Sequence, residues 1–112
     1  MAKDDYFVVA YKILAYLYVQ LKAGESIDSA MLAANGPLMK INERYWTYIL
    51  ENLQAQGYIR NVHMGFMGGQ KIITDYEQCE ITPEGIAYLC DNSLMEKAKQ
   101  FLKDVKEITP FI

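Results

Sequence analysis

The sequence predicts an α+β fold, a winged helix-turn-helix with additional helices at its N- and C-terminal ends. Three observations lead there. Helical patterns fill the first half of the chain, two β-rich runs parted by glycines follow them, and two more helical segments close it. With 112 residues and 52% of them apolar, the chain suits one domain over residues 1–112 that buries a core without disulfides or metals.

The first helix is expected from about Asp5 to Lys22, a stretch without Gly or Pro. Asp4 and Asp5 suit the positive end of its dipole, and Gly24 suits the left-handed residue that closes a helix. Apolar residues fall on nearly every face: Phe7, Val8, Tyr11, Ile13, Leu14, Leu17, Tyr18 and Leu21. Such a helix is buried on more than one side, and a second copy of the chain is one candidate for the additional cover.

A short second helix is expected from Asp28 to about Ala34, followed by a turn at Asn35-Gly36-Pro37. A third runs from about Asn42 to Gln56, with Asn42 as its N-cap and Gly57 as its stop. Trp46, Ile49, Leu50 and Leu53 recur at helical spacing and define its inward stripe.

Residues 58–64 then read as a strand, the glycines at 65, 68 and 69 as a turn, and Gln70 to Tyr76 as the returning strand of a hairpin. Residues from Gln78 to Thr82 extend or complete the sheet. Thr82 caps the next helix, with Pro83 at its favoured first position. Ser93 and Glu96 form a capping box for the last helix, whose apolar stripe runs from Leu94 to Ile108.

The arrangement rests on YWTYILENLQAQGYIRNV as a recognition helix entering the first wing strand, VHMGFMGGQKIIT as the wing, and CEITPEGIAYL as the exit into a helix. Over nearly its whole length the chain resembles the YjcQ-like proteins of bacteria and their phages. The resemblance is carried by DDYFVVAYKILAYLY, YWTYILENLQAQGYI, and ITPEGIAYL with a lysine-rich last helix. It implies a small winged-helix domain, and it points to pairing through terminal helices as winged-helix regulators often do. Binding to DNA follows from it only by analogy of fold.

Catalysis is not expected. The one histidine, His63, lies in a predicted strand, and the serines sit at helix starts and turns where capping explains them. The loop Gly65-Phe66-Met67-Gly68-Gly69 lacks the Lys-Ser/Thr and the helix that a phosphate loop needs. Cys79 and Cys90 fit no zinc or redox spacing, so buried or half-buried thiols are expected and neither metal nor cofactor is implied. Lys3-Asp4-Asp5 does not suit the basic start of a signal peptide, and Lys12 and Gln20 interrupt the apolar run. The chain is therefore expected in the cytoplasm and off the membrane.

Two functional readings stay open. In the first, a bacterial or phage transcription regulator binds DNA as a homodimer paired through its first and last helices. Arg44, Thr47 and Tyr48 would read the major groove, while Lys40, Asn42, Arg60 and Lys71 would hold the backbone. The net charge of −3 and the outward Glu43 and Glu51 weigh against it. In the second, the module binds protein and not DNA, through Met64, Phe66 and Met67 at the wing tip or through the terminal helices.

Overall fold

In the first helix, α1 (Tyr6–Ala23), every residue from Val8 to Leu17 is buried. A helix can be covered all round only at the centre of a fold, and α1 is packed against four other elements. The computed structural model describes residues 1–112. The remaining elements are α2 (Ser29–Leu32), α3 (Glu43–Ala55), β1 (Ile59–Arg60), β2 (His63–Met67), β3 (Gln70–Asp75), β4 (Glu80–Ile81), α4 (Pro83–Asp91) and α5 (Ser93–Asp104). The protein is thus α+β, with five helices and two small antiparallel sheets.

Local chemistry sets most boundaries. Gly24 takes the left-handed conformation (φ 69°), and the N–H groups of Gly24 and Glu25 donate to the carbonyls of Leu21 and Gln20. The side chains of Asp28, Asn42 and Thr82 cap α2, α3 and α4. Asp5 stands at the α1 cap position, but its carboxylate accepts from the backbone N–H of Ala2 instead of capping the helix. The capping box expected at Ser93 is replaced by Asn92, whose Oδ1 accepts from Leu94 and Met95.

The strand predicted over 58–64 is divided. Asn61 has φ 70°, which ends β1 and turns the chain before β2. The carboxamide of Gln54 clasps the next residue, accepting from the N–H of Val62 (2.8 Å) and donating to its carbonyl (2.9 Å). The two halves therefore join different partners. Ile59 and Arg60 pair with Ile81 and Glu80 of β4, while β2 and β3 form a separate hairpin that pairs Phe66 with Lys71 and Met67 with Gln70.

The core is assembled around α1. Trp46, Ile49, Leu50 and Leu53 of α3 are buried as their spacing predicts. From the opposite end of the chain, α5 contributes Met95, Ala98 and Leu102 and packs on α1 and α4. Its stripe ends earlier than expected: the helix stops at Asp104, and Ile108 is 89% exposed. Residues beyond it turn back along α1, where the N–H of Ile112 reaches the hydroxyl of Tyr11 (3.4 Å). The apolar faces of α1 and α5 thus cover one another within one chain. Leu21 at the end of α1 and Val105 and Ile108 beyond α5 stay exposed.

Candidate functional site

The outward face of α3 and the turn of the β2–β3 hairpin enclose an open cleft of about 570 Å³. Arg44, Thr47, Tyr48 and Glu51 line one wall, and residues 68–71 line the other. The helix repeat places 44, 47/48 and 51 on one stripe, and the hairpin leans over that stripe.

Two links hold the hairpin there. The Lys71 ammonium pairs with the Glu51 carboxylate, joining β3 to α3. Below them, the Tyr76 ring meets the buried Trp46 edge-on at 5.2 Å, and its hydroxyl donates to the carbonyl of Ser29 (2.8 Å).

Several residues expected to meet DNA are placed otherwise. Thr47 is expected to face outward, but it is only 7% exposed, on the α3 wall of the cleft that the hairpin turn faces. Asn42 is engaged as the cap of α3, its Oδ1 accepting from the N–H of Tyr45 (2.9 Å). Arg60 does not belong to the hairpin at all. It lies in β1, where Nε donates to the Glu80 carboxylate across the ladder (2.7 Å). Lys71 belongs to the hairpin but pairs with Glu51. Arg44 and Lys40 are exposed and make no ion pair, and Tyr48 is 56% exposed. Of seven residues expected at DNA, these three present their side chains freely to solvent.

The hairpin tip is apolar and uncovered. Phe66 is 73% and Met67 69% exposed, while Met64 is half-buried against the core and so is not part of the tip. Lys71 also stands over the Phe66 ring, 5.9 Å from its centroid, within cation–π reach.

Chemistry-bearing side chains are scattered. His63 is exposed on β2, and no three His, Cys, Asp or Glu side chains gather as metal ligands. Both cysteines are free. Burial pushes the Cys79 thiol up to about 12, whereas Cys90 is exposed, contrary to the expectation that both would be covered. No helix is long and apolar enough to cross a membrane.

Sequence reasoning missed Lys12. Read as an interruption of an apolar run, it is buried in α1, with Nζ donating to the carbonyl of Leu38 (3.0 Å) and 3.7 Å from Glu107. The available signal was a lone cation in a helix apolar on every face, which must either snorkel or find an internal partner.

The family model described as YjcQ protein matches residues 11–108. No curated protein and no solved structure matches the chain.

Proposed function

The chain belongs to the YjcQ protein family, and from that premise we propose that it is a single winged-helix module, without catalysis, that binds another protein through its hairpin tip. The winged-helix reading is supported by the order α2, turn, α3, hairpin, and by the packing of that hairpin on α3. The observation that carries the binding reading is the exposure of Phe66 and Met67 on a hairpin anchored to α3 by the Lys71–Glu51 pair.

Adjacent exposed apolar side chains with a polar surround mark contact surfaces. Covering Phe66 and Met67 contributes roughly 1.5–3 kcal/mol each. Tyr48 adds an aromatic flank across the cleft, and Arg44 a polar rim. The reading requires no second copy of the chain. Two unpaired cysteines suit the reducing cytoplasm.

Binding to duplex DNA is the second reading. The unpaired Arg44 and Lys40 favour it, with exposed Tyr48 beside them. It is the weaker one, because Lys71 and Arg60 are each matched by a carboxylate and phosphate attraction needs net positive charge.

A photo-crosslinking side chain at position 66, with a control at exposed position 97, tests the choice in extract from the source cells. The proposal expects one discrete protein adduct from position 66, lost on Met67→Asp, and no salt-sensitive binding to random duplex. Salt-sensitive duplex binding without an adduct at 66 would overturn it in favour of DNA.

A further inference from the structure

On the flank of α3 away from the hairpin lies a second cleft, of about 390 Å³, walled almost entirely by aromatic rings. Tyr6 comes from α1, Tyr45 and Tyr48 from α3, Tyr58 from the approach to β1 and Tyr88 from α4. Tyr58 and Tyr88 are stacked at 4.3 Å, while Tyr6 and Tyr48 stand 6.3 Å apart at 76°. The cleft therefore offers both ring faces and ring edges, as well as several hydroxyls.

No charged side chain lines it. The Tyr6 phenol is pushed up by burial first and then by the four neighbouring phenols, with no cation among the causes. The carboxamide of Gln56 is exposed and makes no hydrogen bond within the chain, so its N–H groups are available to an acceptor. Asp4 and Asp5 come just before Tyr6, at the mouth: the Tyr45 hydroxyl donates to the backbone carbonyl of Asp4 (2.7 Å), and the Tyr45 phenol is pushed up by burial first and then by the Asp4 and Asp5 carboxylates.

We propose that this cleft docks a proline-rich segment of a partner protein, in the polyproline II conformation and with a basic residue beside it. Proline rings are apolar and fit against aromatic faces. Prolyl carbonyls accept hydrogen bonds while prolyl nitrogens donate none, which matches a wall of phenols and a free carboxamide. The pre-formed extended helix loses little entropy on docking, and the carboxylates at the mouth attract the flanking cation. A nucleic-acid strand could stack its bases here, but its phosphates would meet no cation in the cleft and two carboxylates at the mouth. The site shares Tyr48 with the cleft beside the hairpin but none of the hairpin's own residues, and its test uses a different probe.

The test is a titration of the isotope-labelled chain, followed by nuclear magnetic resonance, with a polyproline peptide ending in arginines and with the same peptide ending in glutamates. The expected result is saturable shifts at Tyr6, Tyr58 and Gln56, with the arginine-ended peptide bound about tenfold more tightly at low salt. That preference should vanish in an Asp4→Asn, Asp5→Asn double variant. Tyr6→Ala should weaken binding by about tenfold or more. Gln56→Ala, a change at an exposed side chain that leaves the fold intact, should weaken it severalfold. The proposal is overturned if millimolar peptide leaves these resonances unmoved, if both peptides bind alike, or if Gln56→Ala has no effect. It is also overturned if single-stranded oligothymidine moves the same tyrosines and the peptide does not.

Discussion

The ammonium of Lys12 lies 3.0 Å from the carbonyl oxygen of Leu38, inside the protein. On its other side, 3.7 Å away, is the carboxylate of Glu107, which the exposed Lys3 also holds at 3.0 Å. A helix at the centre of the fold is thereby fastened to the loop before α3 and to the segment after α5 through one charged group. Burial is the main influence on Lys12 and pushes its pKa below 10.5, the ordinary lysine value, while Glu107 opposes that shift.

The sign of the resulting pH dependence follows. Between the lowered folded value and 10.5, the unfolded chain binds more protons at this group than the folded one, so the contribution of Lys12 to stability rises with pH through that window. The raised Cys79 thiol and buried tyrosines act in the opposite sense, so urea denaturation at successive alkaline pH values should show stability falling more steeply in Lys12→Met than in the parent. Glu107 acts at the acid end. The Lys3 ammonium holds its carboxyl below 4.5, so the stability it contributes is present above 4.5 and is lost as pH falls through the folded value. Glu107→Gln should flatten that acid-side loss.

Gly85 is fixed by contact rather than by backbone conformation. A Cβ placed there would lie 2.1 Å from the carbonyl oxygen of Tyr58 and 2.8 Å from Cγ1 of Ile81. Backbone stands in the way, because α4 starts hard against β1, with the Thr82 N–H donating to that same carbonyl (3.0 Å). Gly85→Ala should therefore destabilise the protein by about 2–4 kcal/mol in spite of the better helix propensity of alanine. The urea midpoint measures it. A gain in stability would show that α4 slides freely over β1.

The two thiols should differ sharply towards alkylating reagents. Cys79 is buried, and its pKa of about 12 leaves almost no thiolate at neutral pH, whereas Cys90 is exposed on α4. Iodoacetamide on the folded protein should add one label, at Cys90, with Cys79 reacting only as denaturant unfolds the chain. Mass spectrometry of the peptides distinguishes the two. Equal labelling in native buffer would show that β4 opens readily.

What could be read from the sequence was what is decided within a few residues. The stripe of Trp46, Ile49, Leu50 and Leu53 follows from helical spacing alone, and so do the stops and caps at Gly24, Asn42 and Thr82. The misread positions are those decided by elements distant in the chain. Thr47 has the spacing of an outward residue, yet it is buried on the wall of a cleft whose other side is a hairpin turn some twenty residues on. Lys12 looks like a break in an apolar face until the carbonyl of Leu38 and the carboxylate of Glu107 are brought to it. The hairpin read over 58–76 stands as β2–β3, but its first strand is divided because Asn61 adopts a positive φ, a choice open to asparagine but not required of it. The aromatic cleft draws on four segments, and nothing in the spacing of Tyr6, Tyr58 and Tyr88 shows that they meet.

The ion pairs that close off the hairpin and the β1–β4 ladder give the sharpest test between protein and DNA as partner. Glu51 matches Lys71, and Glu80 matches Arg60. All four side chains are at least one-third exposed, so each pair contributes at most about 1 kcal/mol and can be removed without unfolding the protein. Glu51→Gln with Glu80→Gln would release two cations, Lys71 across the cleft from the unpaired Arg44, and Arg60 on the β1–β4 ladder. Each additional phosphate neutralised steepens the dependence of log affinity on log salt by about 0.9. If the carboxylates are what keep this face from DNA, the parent should bind random duplex weakly and with little salt dependence. The double variant should then bind more tightly at low salt, with a slope steeper by nearly two. Fluorescence anisotropy across a salt series reads both quantities. A parent that already binds with a steep slope, unchanged in the double variant, would mean that phosphates displace Glu51 and Glu80 unaided, and the face would then be a DNA surface after all.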